Sequence, residues 1–164
     1  MKVVGLISDT HIPTRANVIP PRVFEVFVGS NLIMHAGDLI QLRVLSDLER
    51  LAPVVAVYGN MDEPDVRDRL PKMESVEVYN WKIGVIHNPG ALWGTRTMKR
   101  IAKQNNLDVL VFGHTHRPAF RREEGILFIN PGSPTNPLPP LLTKPTIALL
   151  KVTKEGIMPE IFKI

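Results

Sequence analysis

The sequence contains no cysteine. That excludes disulfides, thiolate zinc sites and a cysteine nucleophile, and leaves nitrogen and oxygen as the donors for any metal. It also has no long apolar run, since nothing approaches the ~18 consecutive apolar residues of a membrane span. The first apolar stretch stops at Asp9, too soon for the core of a secretory signal. A cytoplasmic protein without a membrane partner is therefore expected. Charge of one sign is also lacking: 20 Lys and Arg stand against 16 Asp and Glu, a net +4 that permits an anionic partner without identifying one. Arg96, Lys99, Arg100 and Lys103 fall at helical spacing, which suits a solvated face better than a nucleic-acid surface.

What is present is a layered pattern. With 164 residues, 44% of them hydrophobic, one domain spanning 1–164 is expected, with a single substantial core. The apolar runs 3–7, 32–34 and 54–58 lack the alternation of a half-solvated sheet and read as strands buried on both faces. Helices are expected between them, from Pro20-Pro21 to about Val28 and from about Gln41 to Arg50. This is a βαβαβ order and implies an α/β domain. Further on, 75–79 and 82–86 read as a hairpin turning at Asn80-Trp81. A helix over about 95–103 leads to a strand at 109–112, and 127–129, 146–152 and 158–162 complete the strands, the last two joined at Lys154-Glu155-Gly156. Two face-to-face sheets with helices outside are expected. The stretch from Pro131 to Pro145 holds six prolines and reads as a disordered segment or as a long surface loop within the domain.

Polar groups of metal-ligand type cluster at the ends of five of these strands. They are Asp9 and His11, Asp38, Asn60, His87, and His114 with His116. In open α/β sheets the strand ends converge on one crevice, where ligands bind. Asp9 and His11 are i and i+2, as are His114 and His116, which would put each pair on one side of an extended chain. Gly37 and Gly59 allow the backbone to turn just before Asp38 and Asn60. Imidazole, carboxylate and amide donors together suit a transition metal better than calcium or magnesium. Singly each residue has a bland explanation, but their order along the chain points to one metal site.

These blocks resemble the calcineurin-like metallophosphoesterases: Asp9-Thr10-His11, Gly37-Asp38, Gly59-Asn60-Met61-Asp62, His87 and Gly113-His114-Thr115-His116. Asn130-Pro131-Gly132-Ser133 is similar to the small prokaryotic phosphodiesterase branch. The resemblance runs from residue 1 to about 150 and implies a four-layer αββα sandwich of two mixed sheets flanked by helices. It also implies two divalent transition-metal ions per chain, with Mn²⁺ expected first and Fe²⁺, Ni²⁺ or Zn²⁺ as the other candidates. Asp9, His11 and His116 would hold one ion, and Asn60, His87 and His114 the other, with Asp38 bridging them. The implied reaction is hydrolysis of a small phosphodiester by in-line attack of a hydroxide shared between the ions.

Two departures bear on that reaction. Met61 stands where many members of the wider superfamily have a histidine, and a thioether has no proton for a leaving group. His87 is followed by Asn88-Pro89-Gly90 where the family usually has glycine. Of the remaining residues, His35 is assigned to no ion, and Asp62 either caps a short helix at 63–65 or orients the site. Gly132 and Ser133 shape a nearby loop. Asn60 and Trp93 are the candidate substrate contacts, Trp93 by stacking or else as a packed residue. Two other functions fit the same fold: a non-catalytic binding scaffold, as in the retromer subunit that resembles this family, and a phosphomonoesterase. Exposed edge strands leave a homodimer open.

Overall fold

A computed structural model describes residues 1–90, 95–138 and 143–164. Strand β1 (Lys2–Ile7), helix α1 (Pro21–Phe27), β2 (Leu32–His35), α2 (Arg43–Glu49), β3 (Val54–Ala56) and α3 (Pro64–Arg69) make the first half. The second half comprises β4 (Met73–Val78), β5 (Trp81–Ile86), α4 (Thr95–Gln104), β6 (Val109–Phe112), β7 (Ala119–Glu123), β8 (Ile126–Asn130), β9 (Thr146–Val152) and β10 (Ile157–Lys163).

The strands form two five-stranded mixed sheets, in the orders β10-β9-β1-β2-β3 and β4-β5-β6-β8-β7. β1, β2 and β3 run parallel, and so do β5, β6 and β8; β9, β10, β4 and β7 pair antiparallel at the flanks. The period-2 alternation of side chains explains how one run of apolar residues serves two cores. Val4 and Leu6 of β1 meet Val109 and Val111 of β6 and Leu127 and Ile129 of β8 between the sheets. Ile7 and Ile33 face the other way, onto Val23 and Phe27 of α1 and Val44 and Leu48 of α2. On the far side, Leu110, Phe112 and Phe128 pack against Met98 and Ala102 of α4. The result is the expected four-layer αββα sandwich.

Local chemistry sets the helix bounds. α1 opens on Pro21, whose fixed φ suits the first turn, and stops before Gly29 at φ 82°. Gly5 packs closely beneath it: a Cβ there would lie 3.0 Å from the Phe27 ring, which would have to give by a few tenths of an ångström.

Several expectations need correction. The β4–β5 hairpin turns at Tyr79-Asn80, one residue early, with Val78 opposite Trp81. Trp81 belongs to the strand because its ring packs on the inter-sheet core while Nε1 donates to Thr153 O at 2.8 Å. β3 stops at Ala56, short of Tyr58. β7 was not expected at all: Ala119–Arg122 are exposed, and the strand exists through its ladder to β8. Lys99 and Lys103 pair with Glu124 across to that hairpin, and Arg96 and Arg100 are exposed, in keeping with the expected solvated face of α4. The proline-rich stretch begins packed rather than free, with residues 131–134 buried. No helix among the described residues is long and apolar enough to cross a membrane.

Candidate metal centre

Asp9, Asp38, Asn60, His87 and His114 all lie just beyond the carboxyl ends of parallel strands: β1, β2 and β3 in one sheet, β5 and β6 in the other. Side chains far apart in sequence thus meet in one cleft of about 320 Å³, lined by His11, Asp38, Asn60, His114 and His116 together with Arg15 and Met61.

The paired residues do not reach the cleft from extended chain, as their spacing suggested. Asp9, His11, Asp38, His114 and His116 have φ of 54°, 45°, 55°, 68° and 56°, all in the left-handed region. Non-glycine residues there cost roughly 1–3 kcal/mol each and persist where the surroundings fix them. Here the loops after β1 and β2 fix one another: Asp9 N donates to Gly37 O and His11 N to Asp38 O, both at 3.0 Å. Glycine is needed where these loops touch. A Cβ on Gly59 would overlap the Asp38 carboxylate and backbone, and one on Gly113 would overlap Ser8 Oγ.

Two donor groups result. In the first, Asp9, His11, Asp38 and His116 each offer one atom, all within 4.8 Å of one another. His11 Nε2 lies 3.2 Å from His116 Nε2, which in turn lies 3.3 Å from Asp9 Oδ1. In the second, Asn60 Oδ1 lies 3.0 Å from both His87 Nε2 and His114 Nδ1. Asp38 Oδ2 stands between the groups, 3.8 Å from His11 Nε2 and 3.3 Å from His87 Nε2. Its other oxygen accepts from Met61 N at 2.7 Å.

Ring orientation is set from outside. His87 Nδ1 donates to Ala36 O at 2.8 Å and His116 Nδ1 to Asn136 O at 2.6 Å, so in its neutral form each ring has its lone pair on Nε2, the nitrogen a metal would bind. Ser8 Oγ donates to Asp9 Oδ2 at 2.6 Å, and His114 N approaches both Asp9 oxygens. The donor set, neutral imidazoles with two carboxylates and an amide oxygen, fits divalent transition ions.

Electrostatics follow the crowding. Burial acts to raise the Asp38 carboxyl, but the His87 hydrogen bond and charge, the Met61 N–H and His11 together hold it below the ordinary carboxylate range. Burial pushes His11 and His114 down. It opposes charge on His87 and His116 as well, yet their bonds to Asp38 and Asp9 respectively leave both raised.

Asp62 does not cap α3, whose N-cap is Glu63. Its carboxylate instead accepts from Ile40 N at 2.5 Å, Gly59 N at 2.6 Å and Asp38 N at 3.1 Å, tying the loops after β2 and β3 together. Burial raises its pKa above the usual value in spite of those donors. Ser133 Oγ donates to Asp9 O and Thr135 Oγ1 to Thr10 O, both at 2.7 Å, so the proline-rich segment supports the site from beneath. Ser8, Thr135 and Asn136 carried no signal in the sequence: Asn136 acts through its carbonyl and Thr135 through loop closure. Trp93 lies outside the described residues.

His35 takes no part in either group. Its Nδ1 accepts from Gly37 N at 3.2 Å, so Nε2 bears the hydrogen and donates to Thr10 Oγ1 at 3.1 Å. Burial lowers its pKa from 6.5 to about 4, keeping the ring neutral. The depressed folded value means that its stabilisation is present above pH 6.5 and is lost as pH falls toward 4, an effect of roughly 3 kcal/mol. His35→Asn is expected to flatten the acid side of the pH–stability profile while leaving metal content at the parent level. Denaturation series from pH 4 to 7 and metal analysis check this; loss of metal would place His35 among the ligands.

The calcineurin-like phosphoesterase superfamily domain model matches residues 1–155. The chain therefore belongs to that superfamily, a class of metallophosphoesterases. A probable metallophosphoesterase of Methanothermobacter thermautotrophicus is 40% identical over 161 residues, covering 98% of this chain and 91% of that protein. A phosphodiesterase of Methanocaldococcus jannaschii is 29% identical, covering 93% of this chain and 94% of its own length. Among solved structures, wild-type Vps29 of Entamoeba histolytica, complexed with zinc, superposes with a TM-score of 0.80 at 27% identity over 98% of each chain.

Proposed function

We propose that this chain is a dinuclear metal-dependent phosphodiesterase acting on a small phosphodiester. The observation that carries the reading is Asp38 Oδ2, placed between two complete donor groups at 3.8 and 3.3 Å from a histidine of each. Asp9, His11 and His116 would hold one ion, Asn60, His87 and His114 the other, and Asp38 both. Two divalent ions bound there would acidify a shared water and clamp the phosphoryl oxygens during in-line displacement. The protein's own part is orientation: Ala36 O and Asn136 O fix two imidazoles, Asp62 holds the Asp38 and Asn60 loops, and the exposed Asn60 amide borders the space for substrate. Met61 is 56% exposed at the cleft and supplies no proton, so esters with acidic leaving groups are favoured.

Bis-p-nitrophenyl phosphate is expected to be hydrolysed on addition of Mn²⁺, with activity vanishing in chelator and returning on reloading. Turnover of p-nitrophenyl phosphate measured alongside separates diesterase from monoesterase. Failure with Mn²⁺, Fe²⁺, Ni²⁺ and Zn²⁺ alike would sink the reading. The likeness to Vps29 supports a second one, a binding scaffold of the same fold, which predicts no turnover of either ester with any metal.

A further inference from the structure

A second cavity, about 290 Å³, opens on the β3–β5 side of the metal cleft and shares Asn60 with it. Its walls include His87, whose Nε2 faces Asp38, and the half-buried Tyr58. Its charged groups are Arg67 of α3 and Lys72 before β4. Arg67 is anchored by its Nε, which donates to Asp62 O at 2.9 Å, and by its Nη2, which donates to Asn60 O. Those bonds set the guanidinium beside the second donor group without neutralising it. Among the described residues, no carboxylate lies within ion-pairing distance of Arg67 or Lys72. Lys99 and Lys103 of α4, in contrast, pair with Glu123 and Glu124.

A small cavity with one anchored guanidinium, one ammonium and an aromatic wall has the chemistry of an anion site. It adjoins the position where a phosphodiester would meet the second ion. Resting on the phosphodiesterase reading, we infer that Arg67 and Lys72 select diesters whose arm on the Asn60–His87 side carries a further phosphate. Arg67 can present its remaining N–H donors in a fixed fork, and Lys72 adds a mobile point charge. Binding energy from this remote phosphate would hold the scissile group against the Asp38 side of the cleft.

The test compares thymidine 5′-(p-nitrophenyl phosphate) with its 3′-phosphorylated form, following nitrophenolate release by Mn²⁺-loaded protein. The ratio of kcat/KM for the two esters, taken within each variant, cancels any general change in turnover. The parent is expected to favour the 3′-phosphorylated ester about tenfold or more, as suits a charge-assisted contact. Lys72→Gln is expected to reduce that preference severalfold and Lys72→Glu to abolish it, with Lys154→Gln on the β9–β10 turn as the unchanged control. Raising the salt should compress the ratio in the parent. Titration calorimetry of Mn²⁺-loaded protein with thymidine 3′,5′-bisphosphate and with thymidine 5′-phosphate reads the same preference without turnover. Equal kcat/KM for the two esters, equal affinities for the two nucleotides, or a preference that survives Lys72→Glu would overturn the inference. Absence of turnover with a preserved tenfold binding preference would instead overturn the phosphodiesterase reading and leave the anion site standing.

Discussion

Asp38→Asn is expected to lose at least one of the two proposed ions and more activity than a change at any other candidate ligand. Asp38 Oδ2 is the atom that faces both donor groups, at 3.8 Å from His11 Nε2 and 3.3 Å from His87 Nε2. An amide in its place keeps the shape but would remove negative charge from between the two proposed cations, which repel each other. The side chain is also buried, so solvent cannot screen the repulsion in its stead. Removing groups that merely orient ligands typically costs ~10–100-fold, and loss well beyond that range marks a direct ligand. His87→Ala should fall short of Asp38→Asn, because Asp9, His11, Asp38 and His116 keep the first donor group intact. Plasma mass spectrometry for metal content and turnover of bis-p-nitrophenyl phosphate decide the order. An Asp38→Asn protein with parental metal and activity would end the bridging assignment.

Gly59→Ala should be nearly as damaging, although it alters no ligand. A methyl at Gly59 would collide with the Asp38 carboxylate and with Asp38 N, and the latter is backbone that cannot rotate aside. Relief requires the loops after β2 and β3 to separate, against the three hydrogen bonds by which the Asp62 carboxylate binds them. Overpacking of this kind costs about 1–3 kcal/mol. Displacing Asp38 should also weaken both ions, so a loss of activity beyond ~100-fold is expected, past the range for changes that only perturb orientation. Thermal denaturation and metal content read the two effects separately. Parental values in both would show that the two loops do not need their close approach.

Both predictions depend on features that the sequence disclosed unequally. The strand ends bearing Asp9, Asp38, Asn60, His87 and His114 were legible because apolar runs buried on both faces stop abruptly at polar residues. The four-layer arrangement was legible in the βαβαβ order followed by a second set of strands. The left-handed backbone at Asp9, His11, Asp38, His114 and His116 left no trace, since none is glycine, and at Asp9 and His11 the conformation is held by hydrogen bonds to the loop after β2, distant in sequence. β7 was hidden because an exposed edge strand reading Ala-Phe-Arg-Arg-Glu has no apolar face to betray it. In the sequence Asp62 suits a helix cap, standing before Glu-Pro-Asp; only the fold brings Asp38 N, Ile40 N and Gly59 N around its carboxylate. Arg67 and Lys72 look like ordinary surface charges until α3 and the start of β4 flank the His87 end of β5.

The central claim is that seven side chains form one centre for two ions joined through Asp38. The most direct measurement is anomalous diffraction from crystals of the Mn²⁺-loaded protein. Two peaks ~3.5–4 Å apart are expected, one among Asp9, His11 and His116, the other among Asn60, His87 and His114, with Asp38 Oδ2 within bonding distance of both. A single peak, or two peaks with Asp38 touching only one, would contradict it.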